Sequence, residues 1–299
     1  MAEKKCGTCD DAQCSAKQKR AQEDEKDFIE RQILQSRMCK ITHKIIVLSG
    51  KGGVGKSTVA VNLAVALALA GKKVGLLDVD IHGPSVPKLL KLENTPVSGT
   101  ENTLYPIEVS YASGKISVMS IGFLLRQKDS AVIWRGPMKY NVIKQFLRDV
   151  QWGDLDYLVV DSPPGTGDEP LAVVQLIEKA SGAVVVTTPQ DVATQDVRRS
   201  IVFCHQLDLP VLGVIENMSG FVCPKCGENI GIFGSGGGKI MAEQMGVGFL
   251  GSIPIEPEVV VSGDKGTPIV QARPESQTAK VFNQIVNILI ERGLNSAKH

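Results

Sequence analysis

No run of this 299-residue chain approaches the roughly 20 apolar residues of a membrane-spanning helix. The opening stretch, Met1-Ala-Glu-Lys-Lys-Cys6, has no apolar core of a secretory signal. Charge bias is nearly absent: the net charge is +1, and no patch gathers Lys and Arg. Neither nucleic acid nor a membrane is therefore an expected partner. There are only four histidines, and their positions show no metal-ligand spacing, so a histidine-rich centre is not expected. His82 reads as a loop histidine and His43 and His205 as structural. The expected location is cytoplasmic. The seven cysteines are then reduced, and clustered ones point to metal or redox chemistry rather than disulfides.

What is present is the composition of a globular protein, 43% hydrophobic and 22% charged. Residues 1–40 read as a flexible tail with a cysteine cluster, including a helix from about Gln22 to Arg37. From His43 apolar strands alternate with amphipathic helices. Strands are expected at 44–49, 73–78, 116–120, 157–161, 183–188, 211–216 and 248–253. Helices are expected at 56–70, 138–150, 168–179, 191–207, 236–245 and 276–292. This predicts an α/β fold with a doubly wound, mostly parallel sheet in one domain over 41–293, followed by a short tail at 294–299. Residues 92–115 read as an irregular insertion or hairpin.

The segment Gly50-Lys51-Gly52-Gly53-Val54-Gly55-Lys56-Ser57-Thr58 fits G-x-x-x-x-G-K-[ST] between an apolar strand and an apolar helix. Its glycines let backbone N–H groups surround phosphate oxygens, and the helix N-terminus adds positive potential. Lys56 is expected to reach the β- and γ-phosphates of ATP, and the Ser57 hydroxyl to ligate magnesium. Two further apolar strands end in acids, at Asp78-Val-Asp80 and at Asp161. Asp161 is the second candidate magnesium ligand, and Asp80 the candidate to position the attacking water. Asp78 shares a strand face with Asp80. Gly165 and Gly167 free the loop after Asp161 to follow the γ-phosphate.

Cys223-Pro-Lys-Cys226 places two thiols within reach of one metal. One such pair supplies two ligands where thiolate sites for zinc or an iron–sulfur cluster need four; two chains related by a two-fold axis supply the rest. Cluster, structural zinc and redox dithiol all remain open readings. Cys6, Cys9 and Cys14 put three thiols in a polar tail where packing does not explain them. Cys39 and Cys204 are expected in or near the core.

The additional lysine of the phosphate loop, Lys51, resembles that of the ATPase family containing the nitrogenase iron protein, the arsenite-transport ATPase and the Min and Par ATPases. In that family it reaches the partner subunit's nucleotide, which implies a homodimer. Lys51 to Thr58, Asp78 to Ser85, Trp134 to Met138, Asp161 to Glu169, Gly213 to Ser219 and Cys223 to Cys226 together resemble the Mrp-type, or ApbC, nucleotide-binding iron–sulfur carriers. The resemblance spans about 40 to 290. It implies ATP, magnesium and a 4Fe–4S cluster bridging Cys223 and Cys226 of two subunits, with apo-proteins as recipients. It also implies that Asn217 contacts adenine and that the loop containing Pro254 and Glu258 closes over the base. The tail cysteines resemble a shortened ferredoxin-like motif of eukaryotic members, which leaves three readings: Cys39 completes the ligand set, a partner chain does, or a 4Fe–4S cluster keeps one open iron site. The role of Arg135 stays open. The competing functional classes are a Min- or Par-type positioning ATPase with structural zinc, and an ATP-dependent reductase bearing a cluster.

Overall fold

A computed structural model describes residues 17–100, 103–124, 136–223 and 225–296, with the backbone alone at 136–137 and 293–296. The chain runs α1 (Glu25–Met38), β1 (Ile41–Ser49), α2 (Lys56–Leu69), β2 (Val74–Asp78), α3 (Val86–Leu89), β3 (Gly99–Thr100), β4 (Thr103–Leu104), β5 (Ile107–Tyr111) and β6 (Gly114–Ser120). A 3₁₀ turn at Ile121–Leu124 precedes α4 (Gly136–Asp149), β7 (Leu155–Asp161), α5 (Asp168–Leu176), β8 (Gly182–Thr187), α6 (Asp191–Gln206) and β9 (Val211–Glu216). Then come β10 (Phe221–Val222), β11 (Asn229–Ile230), α7 (Gly237–Gln244), β12 (Phe249–Ser252), α8 (Pro257–Asp264), α9 (Ile269–Ala272) and α10 (Gln277–Ser296).

Eight strands form one sheet in the order β12-β9-β8-β1-β7-β2-β6-β5. All neighbours are parallel except β5 and β6. The central strands are unbroken apolar runs because helices cover both faces. One face packs under α2, α9 and α10, and the other under α1, α4, α5, α6 and α7. Helix α2 is buried along nearly its whole length, which explains a sequence apolar on every side. Among the described residues no helix is long and apolar enough to cross a membrane.

The hairpin reading of 92–115 holds, and three other features differ from the sequence reading. The stretch 92–115 contains β5, whose alternating exposed and half-buried residues suit an edge strand pairing back onto β6. Helix α1 belongs to the folded body rather than to a tail: Leu34 and Met38 are buried in the second core. Lys144 and Arg148 of α4 bind Glu30 of α1. Cys39 is exposed, since it caps the end of α1, whereas Cys204 is buried as expected. The last helix continues to Ser296, into the expected C-terminal tail.

Lys44 is a buried cation within β1, 7% exposed. Its Nζ donates to the carbonyls of Met38 and Ile41 at 3.4 and 3.3 Å. Burial pushes its pKa down, because the charged form is desolvated. The penalty for holding the proton is full below the folded pKa and vanishes as pH rises to the unfolded value near 10.5. Lys44→Met is therefore expected to stabilise the fold at pH 7 by about 1 kcal/mol, with a smaller gain at pH 10. Urea denaturation of both proteins at the two pH values checks this; a variant less stable at pH 7 contradicts it.

Candidate functional site

The carboxyl ends of β1, β2 and β7 meet at the centre of the sheet, where the strand-to-helix turns open a crevice. The turn after β1 is the glycine-rich loop. Its crest, Gly52 and Gly53, is exposed, while Val54 is buried and anchors the turn. The Ser49 hydroxyl donates to the Lys51 carbonyl at 3.0 Å. Gly55 caps α2 with φ +81°, a conformation that disfavours any side chain. A Cβ there would also run into the Asn217 amide.

Lys56 begins α2 and is 6% exposed. Its Nζ donates to Asp161 Oδ1 at 2.6 Å and lies 3.3 Å from Asp80 Oδ2. Burial alone would lower its pKa, but the charges of Asp161 and Asp80 more than offset this, so the ammonium is retained. Register pairs Asp78 directly with Asp161 across β2 and β7. Asp78 is held by the Ser120 hydroxyl at 2.8 Å and by the backbone N–H groups of Asp80 and Val86. Burial and the neighbouring Asp161 charge push the Asp78 carboxyl up to about 8. Burial also raises Asp161, against the pull of Lys56. Asp78 therefore braces the loop that carries Asp80.

Asp161 Oδ2 is buried without a hydrogen-bond partner. With the Ser57 hydroxyl beside Lys56 Nζ at 3.5 Å, it offers hard oxygen donors of the kind magnesium takes. The residues present thus fit the ion. The following loop is tied to β1: Gly165 N–H donates to the Ser49 carbonyl at 2.8 Å and Ser162 N–H to that of Val47 at 3.3 Å.

Beside the phosphate loop lies an apolar cavity of about 410 Å³. Thr58, Val59, Asn217, Phe233, Pro254 and Glu256 are among its walls. Asn217 Nδ2 donates to the Val54 carbonyl at 2.9 Å, so this side chain bridges the end of β9 and the phosphate loop. Of the two residues expected to close over a base, Pro254 lines this cavity. Glu258 does not; it is exposed and faces a neighbouring hollow with Phe221 and Val222. The reason is that Pro257 starts α8, which turns Glu258 outward in its first turn and leaves Glu256 at the N-cap.

The Cys223 pair sits on a small hairpin of β10 and β11. Cys223 N–H donates to the Glu228 carbonyl and Gly227 N–H to the Cys223 carbonyl, both at 2.9 Å. Gly227 takes φ +76°, which closes the knuckle. Cys223 is half-buried and Cys226 exposed. Backbone N–H groups of Cys226 and Lys225 point at the Cys223 sulfur and lower its pKa, favouring thiolate. Among the described residues no third His, Cys, Asp or Glu joins them to complete a metal site. The hairpin is also bound to the cavity wall: Ile255 N–H donates to the Gly220 carbonyl at 2.8 Å and Ser219 N–H to that of Ile253 at 2.9 Å.

A family model described as the ParA group NUBPL iron-transfer P-loop NTPase matches residues 40–290. The chain belongs to that family. It is 48% identical over 291 residues to an iron-sulfur cluster carrier protein of Methanocaldococcus jannaschii, covering 96% of each chain. It is 50% identical over 256 residues to a cytosolic Fe-S cluster assembly factor Nubp2 homolog of Anopheles gambiae, covering 85% of this chain and 98% of that one. A solved nucleotide-binding protein of Archaeoglobus fulgidus, in complex with ADP, is 41% identical, with a TM-score of 0.72 over 84% of this chain and 96% of that one.

Cys6, Cys9, Cys14 and Arg135 lie outside the described residues. One buried acid and one surface cluster were not assigned by the sequence reading. Glu216, fully buried at the end of β9, accepts from Ser219 Oγ, Gly236 N–H and Gly238 N–H, and so shapes the loops on either side of the hairpin. An acid ending a buried apolar strand is the same signal that marked Asp161. Glu169, Lys139 and His82 join the N-terminus of α5, helix α4 and the loop after Asp80. Their spacing across three separate segments carries no local pattern.

Proposed function

We propose that this chain is a cytosolic, homodimeric ATPase that carries a 4Fe–4S cluster and hands it to apo-proteins. The observation that carries the reading is the half-complete thiol site. Cys223 and Cys226 stand on a surface hairpin, with one sulfur held by backbone N–H groups, and no third ligand joins them among the described residues. A second copy supplies two more thiolates, and the cluster is cargo between them. The names of the Methanocaldococcus and Anopheles relatives support the same assignment.

In this reading Lys56, with Lys51 from the facing copy, offsets charge on the γ-phosphoryl group, and Asp80 orients the attacking water. Ser57 and Asp161 would hold magnesium, which supplies charge neutralisation at the phosphates. Attack breaks the bond between the γ-phosphorus and the bridging oxygen, releasing ADP and phosphate. Loss of the γ-phosphate frees the loop Gly165 to Asp168, which changes dimer geometry and loosens the cluster. Cys6, Cys9 and Cys14 form a second cluster-binding segment in this proposal.

Anaerobic reconstitution with iron and sulfide tests the reading, followed by mass measurement and transfer to an apo-ferredoxin. The expected result is a dimer with about four irons at the bridging site. A further share should be lost when residues 1–20 are removed, and ATP turnover should accelerate transfer. Tightly held zinc that resists replacement, with no cluster formed, would leave only an ATPase with a structural metal. A cluster that survives turnover and passes electrons instead would make the protein a reductase.

A further inference from the structure

One short segment, Glu216 to Gly220, joins the phosphate loop to the thiol hairpin. Asn217 grips the nucleotide side. Its N–H donates to the Thr187 carbonyl at 2.7 Å, and its Nδ2 donates to the Val54 carbonyl of the phosphate loop at 2.9 Å. The other end of the segment grips the hairpin. Gly220 N–H donates to the Gly234 carbonyl at 3.3 Å, across the two arms that lead to and from the thiols.

Glu216 ties these ends together. Oε1 accepts from the Ser219 hydroxyl at 2.5 Å and from Gly236 N–H at 2.8 Å, and Oε2 accepts from Gly238 N–H at 2.5 Å. Ser219 stands at the foot of the arm that runs through β10 to Cys223. Gly236 and Gly238 stand where the returning arm enters α7. One fully buried carboxylate therefore clamps both arms, while the next residue along the backbone holds the phosphate loop. Burying a carboxylate is costly unless donors replace its hydration, so the three bonds hold each other in place. Met218, between the two grips, has φ +57°, which a non-glycine residue keeps only where its surroundings impose it. A backbone held in this way passes a displacement of Asn217 on to Ser219 instead of absorbing it.

We infer that Glu216 is a positioning residue that couples the two sites: through Asn217 and Glu216, the occupancy of the phosphate loop sets the geometry of the Cys223 hairpin, and so how firmly the cluster is held. This rests on the reading of the chain as an ATPase and cluster carrier, and it places a route of coupling inside one chain, separate from the loop after Asp161.

Coupling between two binding sites is reciprocal, so the affinity for nucleotide reports it. The parent for the test is the full-length chain with Cys6, Cys9 and Cys14 replaced by serine, so that a cluster can sit only at the hairpin. Affinity for the non-hydrolysable analogue AMPPNP with magnesium is measured by anaerobic calorimetry, with and without the cluster. In the parent, the cluster should change that affinity by at least about fivefold. Glu216→Gln keeps the size of the side chain but turns one acceptor into a donor that faces the glycine N–H groups. It should still bind cluster and analogue separately, with their mutual effect reduced to about twofold or less. Ser219→Ala removes one of the three donors, leaves Gly236 and Gly238 in place, and should reduce the effect to about threefold or less. A merely structural role would weaken the fold or both ligands and leave the mutual effect at the parent's value. A parent-like effect in Glu216→Gln overturns the inference while the carrier reading stands. If Glu216→Gln does not fold, a parent-like effect in Ser219→Ala overturns it equally. If the parent binds both ligands and neither alters the other, the two sites are not coupled and the inference fails. If the parent holds no cluster or no nucleotide, the carrier reading itself fails, and the inference with it.

Discussion

Replacing both Cys223 and Cys226 with alanine is expected to remove essentially all iron from the bridging site while leaving the fold and ATP affinity intact. The two cysteines lie in the loop joining two strands of two residues each, outside both hydrophobic cores. Removing them deletes no core packing, so the stability change should stay within about 0.5 kcal/mol. The loss of iron is all-or-none because four thiolates are shared between two chains. Each single variant should fail almost as completely, since it takes two ligands from the dimer at once. Iron analysis and visible absorbance after anaerobic reconstitution read the effect, with ATP binding and circular dichroism as controls. A double variant that reconstitutes bridging iron to the wild-type level in a chain lacking residues 1–20 would exclude this hairpin as the cluster site.

Lys56→Met should slow ATP hydrolysis by about 1,000-fold and also weaken the fold. The activity loss follows from removing the cation aimed at the transferring phosphoryl group. The stability loss has a separate origin. Lys56 is 2.6 Å from Asp161 and 3.3 Å from Asp80, and all three side chains are at least mostly buried. Breaking a buried pair on one side leaves carboxylates without compensation, at a cost of about 3 kcal/mol. Lys51 provides the contrast. It is half-buried just before the loop crest, and Lys51→Met should lose hydrolysis with little change in melting temperature. Phosphate release and thermal melts of the two variants decide the matter. Equal melting temperatures for Lys56→Met and wild type would show that the acids do not depend on Lys56.

Much of this was legible along the chain. The phosphate loop announces itself because its chemistry is local: glycines, a lysine and a hydroxyl must follow one another for backbone N–H groups to converge. The seven expected strands of the sheet were visible as apolar runs, because covering helices on both faces demand such runs. Strand β5 escaped, since an edge strand with one half-buried face carries only a weak alternation. Cys39 was expected near the core and is exposed, because the end of α1, rather than the thiol's own polarity, sets its place. The tail assignment failed at α1 for a similar reason. Its sequence is mostly polar, yet Leu34 and Met38 find a core face and Glu30 finds α4.

The sequence by itself determined the class of protein: a parallel α/β sheet, a phosphate loop with an additional lysine, acids at strand ends, and a thiol pair with two ligands too few. These are patterns within single segments, and local backbone geometry enforces them. Only the tertiary structure decided which acid neutralises which lysine, that Asp78 faces Asp161 across two strands, and that Asn217 reaches back to Val54. It also placed Glu256 rather than Glu258 on the cavity beside the phosphate loop. Each of those facts joins residues far apart in the chain. Strand register and the turn into α8 set them, and no spacing along the sequence encodes either.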